Sequence, residues 1–194
     1  MKRYVLPLFL ALNLAACGGD DDEEPAPVVE YASLEVDAMT DTDDGTISLT
    51  GASCSLDPET KVFTGTFSGT TGSALELRIT GFRSEESTYN CAQTASNQEG
   101  DLGDRFEVCA VTFSTATERG INTYTMYRSD SSMGQFAYED SCSITASREE
   151  GRVSGKISCN NLIQTVLTGT PRFPIEPSVS ASLTGETKFF CDPA

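Results

Sequence analysis

Seven cysteines constrain the fold of this 194-residue chain more than any other feature of its sequence. Cys17 stands between an apolar N-terminal stretch and a block of acidic residues, whereas the others lie between positions 54 and 191. The chain has no Cys-x-x-Cys pair and no histidine, so zinc and iron–sulfur sites lack their usual ligand pattern. We therefore expect no metal site and no cofactor.

The N-terminal stretch has the pattern of an export signal. Lys2 and Arg3 are followed by the apolar run "YVLPLFLAL" at residues 4–12. This run is too short to span a bilayer, so residues 1–16 are predicted to be a signal peptide and not a transmembrane helix. An exported chain meets an oxidising compartment, in which cysteines pair as disulfides.

The signal ends in Leu14-Ala15-Ala16-Cys17, which resembles the lipobox of bacterial lipoproteins in full. The resemblance implies cleavage before Cys17, a lipid on its sulfur and usually an acyl chain, such as palmitate, on its new amino group. Anchoring by two or three chains attaches a protein stably to a membrane without further contacts. Gly18 follows the cysteine, which in that family implies the outer membrane, on its periplasmic face or at the cell surface.

Residues 17–30 are predicted to be the lipidated cysteine and a flexible acidic tether, because glycines, acids and prolines follow one another there. The acid block at residues 20–24 is best interpreted as a solvated spacer. It also resembles the acidic surface-export tags of some lipoproteins, and that alternative stays open. Residues 31–194 are expected to form a single domain.

Setting Cys17 aside leaves an even number of cysteines, which predicts three disulfides. The cysteines are Cys54, Cys91, Cys109, Cys142, Cys159 and Cys191. Six cysteines allow 15 connectivities, so their spacing does not select one. Strand register favours Cys142–Cys159. Cys91–Cys109, which would close a polar loop, and Cys54–Cys191, which would join the first strands to the last, are working hypotheses.

The register argument concerns "CSITASREEGRVSGKISC" at residues 142–159. Folding this segment about Glu150-Gly151 sets Ile144 opposite Ile157 and the two terminal cysteines opposite each other. Side chains alternate between the faces of a strand, so these pairs share one face. The other, wetter face receives Ser143, Thr145, Lys156 and Ser158. Glu-Gly is not a preferred hairpin turn, so a longer loop with a shifted register is the alternative.

The rest of the chain is rich in threonine, serine and valine, in short runs that end at glycines or turn residues. These runs lie at residues 45–54, 61–69, 74–82, 105–115, 121–127, 134–139, 178–185 and 188–191. No window has a sustained helical period. The pattern predicts an all-β fold, an antiparallel sandwich or barrel of roughly 8–10 short strands held by disulfides.

Charge and composition exclude several functions. A formal net charge of −16 argues against nucleic acid as a partner and against docking on anionic lipid through a basic patch. Without histidine, neither a Ser-His-Asp nor a Cys-His catalytic site can form. No catalytic residue is therefore predicted.

Two acidic segments are candidate calcium sites. "TDTDDGT" at residues 40–46 has Gly51 where an EF-hand loop needs its bidentate glutamate, so an Asp-Gly turn is favoured. In the polar segment 84–104, Glu99, Asp101 and Asp104 could gather around calcium or form a paired-carboxylate hydrolase site. A solvated loop pinned by Cys91 is the favoured interpretation.

An aromatic cluster is the remaining candidate site. Folding "NTYTMYRSDSSMGQFAYE" at residues 122–139 as a hairpin would gather Tyr127, Phe136 and Tyr138 on one sheet face. Such rings could stack against a sugar or a peptide, although rings on a sheet face more often cover the core.

Together these features predict a lipid-anchored cell-envelope protein with a non-enzymatic binding or structural β-domain. Its partner would be an envelope protein or polysaccharide, which the sequence does not identify. The alternatives are a carboxylate-pair hydrolase acting on envelope polymers and a calcium-stabilised adhesion module.

Overall fold

The computed structural model describes residues 28–38, 44–91, 108–118, 120–126, 142–166, 173–174 and 179–194. Within these residues every regular element is a β-strand and the strand pairings are antiparallel. The predicted all-β antiparallel class is therefore confirmed. Cys17 and most of the tether lie outside the described residues.

Thirteen strands lie in the described part of the chain, more than the roughly 8–10 expected from turn spacing. They are β1 (Ala32–Ala38), β2 (Gly45–Leu49), β3 (Gly51–Asp57), β4 (Val62–Ser68), β5 (Ala74–Thr80), β6 (Ser87–Asn90), β7 (Cys109–Thr117), β8 (Gly120–Thr125), β9 (Cys142–Glu149), β10 (Arg152–Val166), β11 (Phe173–Pro174), β12 (Ser180–Leu183) and β13 (Lys188–Cys191). The strand expected at residues 134–139 lies outside the described residues.

The strands form one hydrogen-bonded sheet that closes on itself. β2 continues into β3 after Thr50, so this stretch pairs with β1 at its start and with β4 at its end. From β4 the pairings run through β5, β7 and β8 to β10. From β10 they run through β12 and β13 back to β1, which completes a barrel-like circuit. β9 and β6 extend the sheet from the edge of β10.

β10 changes partners along its length because a β-bulge interrupts it. Asn161 has a φ of 52°, and the register with β12 shifts between Cys159 and Leu162. Before the bulge, residues 152–159 pair with β9, whereas residues 163–165 pair with β8. A bulge bends and twists a strand locally, which allows one strand to serve both parts of the sheet.

The core lies inside this circuit. In β4 and β5 every second residue is buried, as expected for strands with one dry and one wet face. Phe189 of β13 meets Phe63 and Phe67 of β4, with ring centroids 6.2 Å and 5.6 Å apart. All three rings are almost fully buried, so the aromatic contacts join opposite walls of the fold.

The β9–β10 hairpin has the predicted register. Residues from Arg152–Glu149 to Cys159–Cys142 pair in order, and the two cysteines form a disulfide. Glu150 and Gly151 both have positive φ, 50° and 91°, which is the requirement of a two-residue type I′ turn. The hypothesis of a shifted register is therefore wrong.

The other two disulfides are Cys91–Cys109 and Cys54–Cys191. The first joins the end of β6 to the start of β7, and the second joins β3 to β13. The three disulfides thus hold together strands that are far apart in the hydrogen-bonded sheet as well as the adjacent pair β9–β10.

The polar segment 84–104 contains a strand that the sequence did not indicate. β6 adds to the outer edge of β9, and its Tyr89 side chain is buried. The Tyr89 ring stacks on Phe82 at 6.2 Å, and its hydroxyl oxygen accepts a 2.8 Å hydrogen bond from the Arg83 backbone N–H. This packing of one aromatic side chain stabilises β6, whose other residues are polar.

Candidate functional site

The outward face of β1, β13, β10 and β9 carries a groove of about 370 Å³, which we call the sheet-face groove. Its outward side chains form two rows that run across the strands. The first row is Ser33, Lys188, Lys156 and Thr145, and the second is Tyr31, Phe190, Ser154 and Ser147. Glu30 and Glu86 border the groove at its two sides.

The first row brings two lysines together. Lys156 of β10 lies directly opposite Lys188 of β13, and both side chains are exposed. Neither ammonium group has an ion-pair partner among the residues that the structure describes. Thr145 continues the row and its hydroxyl is 3.0 Å from that of Thr88 on β6. Like charges in directly opposed positions of a sheet repel each other, so this pair destabilises the unliganded fold slightly.

The second row ends in an aromatic pair. The rings of Tyr31 and Phe190 lie 5.3 Å apart, and the Phe190 backbone N–H donates a 2.8 Å hydrogen bond to the Tyr31 carbonyl. Both rings are half-buried. The neighbouring side chains are those of Ser154 and Ser147. Because serine is much smaller than tyrosine or phenylalanine, the surface is lower beside the two rings, and this difference in height forms the groove.

An ion pair fixes the aromatic end of the groove. The Arg152 guanidinium lies 4.8 Å from the Phe190 ring centroid and donates two hydrogen bonds, of 2.9 Å and 3.1 Å, to the Asp192 carboxylate. These hydrogen bonds lower the pKa of Asp192 and raise that of Arg152. The Asp192 carboxylate thus balances the charge of Arg152.

The carboxylates that border the groove are far apart. Glu30 adjoins β1 and Glu86 adjoins β6, and β13, β10 and β9 lie between them. Four spacings between neighbouring strands amount to about 19 Å between their backbones, measured along the sheet. Paired-carboxylate hydrolases hold their two carboxyl groups about 5–9.5 Å apart. The groove therefore offers ammonium and hydroxyl donors with a stacking surface rather than a closely spaced acid–base pair.

A second cleft, of about 700 Å³, lies where the β3–β4 turn meets residues 82–85 and Arg148. Two of its charged side chains, Asp57 and Arg148, have hydrogen-bond partners close to them in the chain. The Asp57 carboxylate accepts hydrogen bonds from the Glu59 and Thr60 backbone N–H groups, and these bonds, with that from Thr60 first, lower the pKa of Asp57. The Arg148 Nε–H donates to the Gly151 carbonyl at 3.2 Å. This cleft is the weaker candidate for a binding site.

Several residues predicted from sequence lie outside the described residues. They are Cys17, Glu99, Asp101, Asp104, Tyr127, Phe136 and Tyr138. Of the segment 40–46, Asp44 accepts a hydrogen bond from the Ala38 backbone N–H and Gly45 begins β2 with a φ of 124°. Both residues serve the connection between β1 and β2.

The described residues contain neither a metal-binding cluster nor a helix that could span a membrane. No group of three or more cysteine, aspartate or glutamate side chains in these ranges is placed to hold a metal ion. The same ranges contain no helix with the length and hydropathy that a membrane span requires.

Comparison of the chain with protein-family models, with curated proteins and with solved structures gives no match.

The sheet-face groove was not predicted from sequence. Hairpin register placed Lys156 on the wetter face of its strand, but its partner Lys188 and the Tyr31–Phe190 pair depend on pairing between β1, β13 and β10.

Proposed function

We propose that this protein is a lipid-anchored cell-envelope protein whose β-domain binds a ligand, without catalysing a reaction, in the sheet-face groove. The observation that carries the proposal is the groove itself. It combines two lysines that have no ion-pair partner in the described part of the chain, small hydroxyls in both rows and an aromatic pair on an exposed sheet face. Such convergent polar groups beside an apolar surface are typical of small-ligand sites.

The proposed anchor rests on the lipobox resemblance of Leu14-Ala15-Ala16-Cys17. Two or three acyl chains on Cys17 would hold the protein at the outer membrane, and residues 18–30 would separate the lipid from β1. The groove includes Tyr31, the residue that follows this tether. A ligand site so near the anchor would face the membrane-proximal layer of the envelope.

Binding is favoured over hydrolysis by the chemistry of the groove. Its bordering carboxylates, Glu30 and Glu86, adjoin strands at opposite sides of the groove, and two directly opposed lysines lie between them. The calcium-stabilised alternative rests on residues outside the described ranges and gains no support from the groove.

The anchor is tested by growth with radiolabelled palmitate, followed by detergent-phase partition, for the wild-type protein and Cys17→Ser. Label and partition of the wild type, both lost in the variant, support the proposal. A Cys17→Ser protein that still enters the detergent phase would contradict it. For the domain, purified protein should be retained on insoluble envelope polysaccharide without releasing reducing ends, and steady release would favour the hydrolase.

A further inference from the structure

The lysine pair is an unusual arrangement in a protein with a formal charge of −16. Lys156 and Lys188 occupy directly opposed positions on neighbouring strands. The Cβ atoms of such pairs are about 4.5–5.5 Å apart, close enough for both ammonium groups to reach one small anion. A carboxylate placed between them would accept a charge-assisted hydrogen bond from each and cancel their repulsion.

We infer that the sheet-face groove binds an acidic polysaccharide, with a uronic-acid carboxylate held between Lys156 and Lys188 and sugar rings extending along the second row toward Phe190. This inference rests on the proposed function and deepens it by naming the class of ligand.

The second row suits the uncharged groups of a sugar chain, which are its hydroxyls and the C–H faces of its rings. Ser147 and Ser154 present hydroxyls that both donate and accept hydrogen bonds, which is what sugar hydroxyls require. The rings of Tyr31 and Phe190 offer an apolar surface for the C–H face of a pyranose. The volume of about 370 Å³ falls within the usual range of small-ligand sites, about 300–1,000 Å³.

The charges around the groove restrict how much negative charge a ligand can carry. Glu30 and Glu86 border the groove, and the rest of the chain is strongly acidic. A densely charged polyanion would be repelled everywhere except at the lysine pair. A uronic-acid chain carries at most one carboxylate per sugar ring, so one ring can place its carboxylate between the lysines while hydroxyls of that ring and its neighbours donate hydrogen bonds to the two glutamates.

The test is calorimetric titration of the full-length protein, purified in non-ionic detergent, with hexasaccharides of galacturonic acid, guluronic acid and hyaluronan and with their carboxyl-reduced derivatives. Reduction removes the charge but keeps the rings and hydroxyls. The variant is Lys156→Gln/Lys188→Gln. Its control is Lys61→Gln/Arg78→Gln, which removes the same charge from the second cleft and from the exposed face of β5. Thermal melts check that each variant is folded.

We expect at least one uronate to bind about tenfold or more tightly than its reduced derivative. The lysine double variant should bind the uronate and its reduced derivative with equal affinity, whereas the control variant should keep the difference. Added salt should reduce the affinity for the uronate. The inference is overturned if no uronate binds, or if the double variant binds as the wild type does. It is also overturned if phosphatidylglycerol vesicles bind through the same lysines.

One outcome separates this inference from the proposed function. If charged and reduced hexasaccharides bind equally and Phe190→Ala abolishes both, the groove is a neutral-glycan site. The binding function then stands and the acidic-ligand inference fails. Lipidation at Cys17 is measured separately and is not affected by either result.

Discussion

The Cys54–Cys191 disulfide should contribute more to the free energy of unfolding than the Cys142–Cys159 disulfide. The perturbations are Cys54→Ala/Cys191→Ala and Cys142→Ala/Cys159→Ala, each of which removes one disulfide and leaves no free thiol from it. The Cys54–Cys191 bond closes a separation of 137 residues, whereas Cys142–Cys159 closes 17. The former joins β3 to β13, which are not hydrogen-bonded neighbours, and the latter joins two strands that are already paired.

The number of residues that each disulfide encloses determines how much it stabilises the fold in the chain-entropy model. In the chain-entropy model, closing 137 residues restricts the unfolded chain by about 5 kcal/mol at 25 °C, and closing 17 by about 3 kcal/mol. Each double substitution removes two sulfur atoms. Cys142, Cys159 and Cys191 are buried whereas Cys54 is only partly buried, so the lost packing is somewhat greater for Cys142/Cys159 and works against the entropic difference. We therefore expect the Cys54/Cys191 variant to be less stable than the Cys142/Cys159 variant by up to about 2 kcal/mol.

The assay is equilibrium unfolding in guanidinium chloride, monitored by circular dichroism, with the m-value compared between variants. A Cys54/Cys191 variant that is already unfolded without denaturant agrees with the expectation, because domains are stable by only about 5–15 kcal/mol. Equal midpoints at equal m-values, or a lower midpoint for the Cys142/Cys159 variant, would refute the reasoning.

Two further perturbations test local features. A Cβ at Gly155 would lie 2.5 Å from a backbone carbonyl oxygen of β9, whereas one at Gly185 would meet no atom within 4 Å. Gly155→Ala should therefore lower the free energy of unfolding by about 1–3 kcal/mol, whereas Gly185→Ala should change it little. Equal melting temperatures of the two variants would contradict this expectation. The hydrogen bonds from Arg152 lower the pKa of Asp192 in the folded protein. The ionised carboxylate therefore stabilises the fold at pH values above its ordinary pKa of 3.8. This contribution is lost as the pH falls through the lowered pKa of the folded state. Asp192→Asn should flatten the acid limb of the stability–pH profile slightly, and an unchanged limb would show that the ion pair is not coupled to folding.

The β9–β10 hairpin could be predicted because its information is local. The alternation of apolar residues, the turn at the centre and the cysteines at both ends all select one register within residues 142–159. The remaining strand order depends on pairings between distant segments, which alternation along one strand does not encode. β1 was missed for a related reason, since "ASLEVDA" has few of the β-branched and aromatic residues that mark a strand.

The candidate site was beyond sequence reasoning for the same physical reason. Lys188 comes to face Lys156 only because β13 pairs with β10, and Phe190 meets Tyr31 only because β13 also pairs with β1. These contacts join residues near both ends of the domain. The extension of β10 past Asn161 was missed as well, because a bulge breaks the alternation of side chains that a strand prediction follows.

The proposed function requires that the protein bind its ligand on one face of its sheet. The most direct measurement is a titration of ¹⁵N-labelled protein with galacturonic acid hexasaccharide, followed by amide chemical shifts. The largest changes should fall on Ser154, Lys156, Lys188 and Phe190, and the amides of β4 and β5 should not move. Changes that centre on the second cleft, or that are absent at saturating oligosaccharide, would contradict the account.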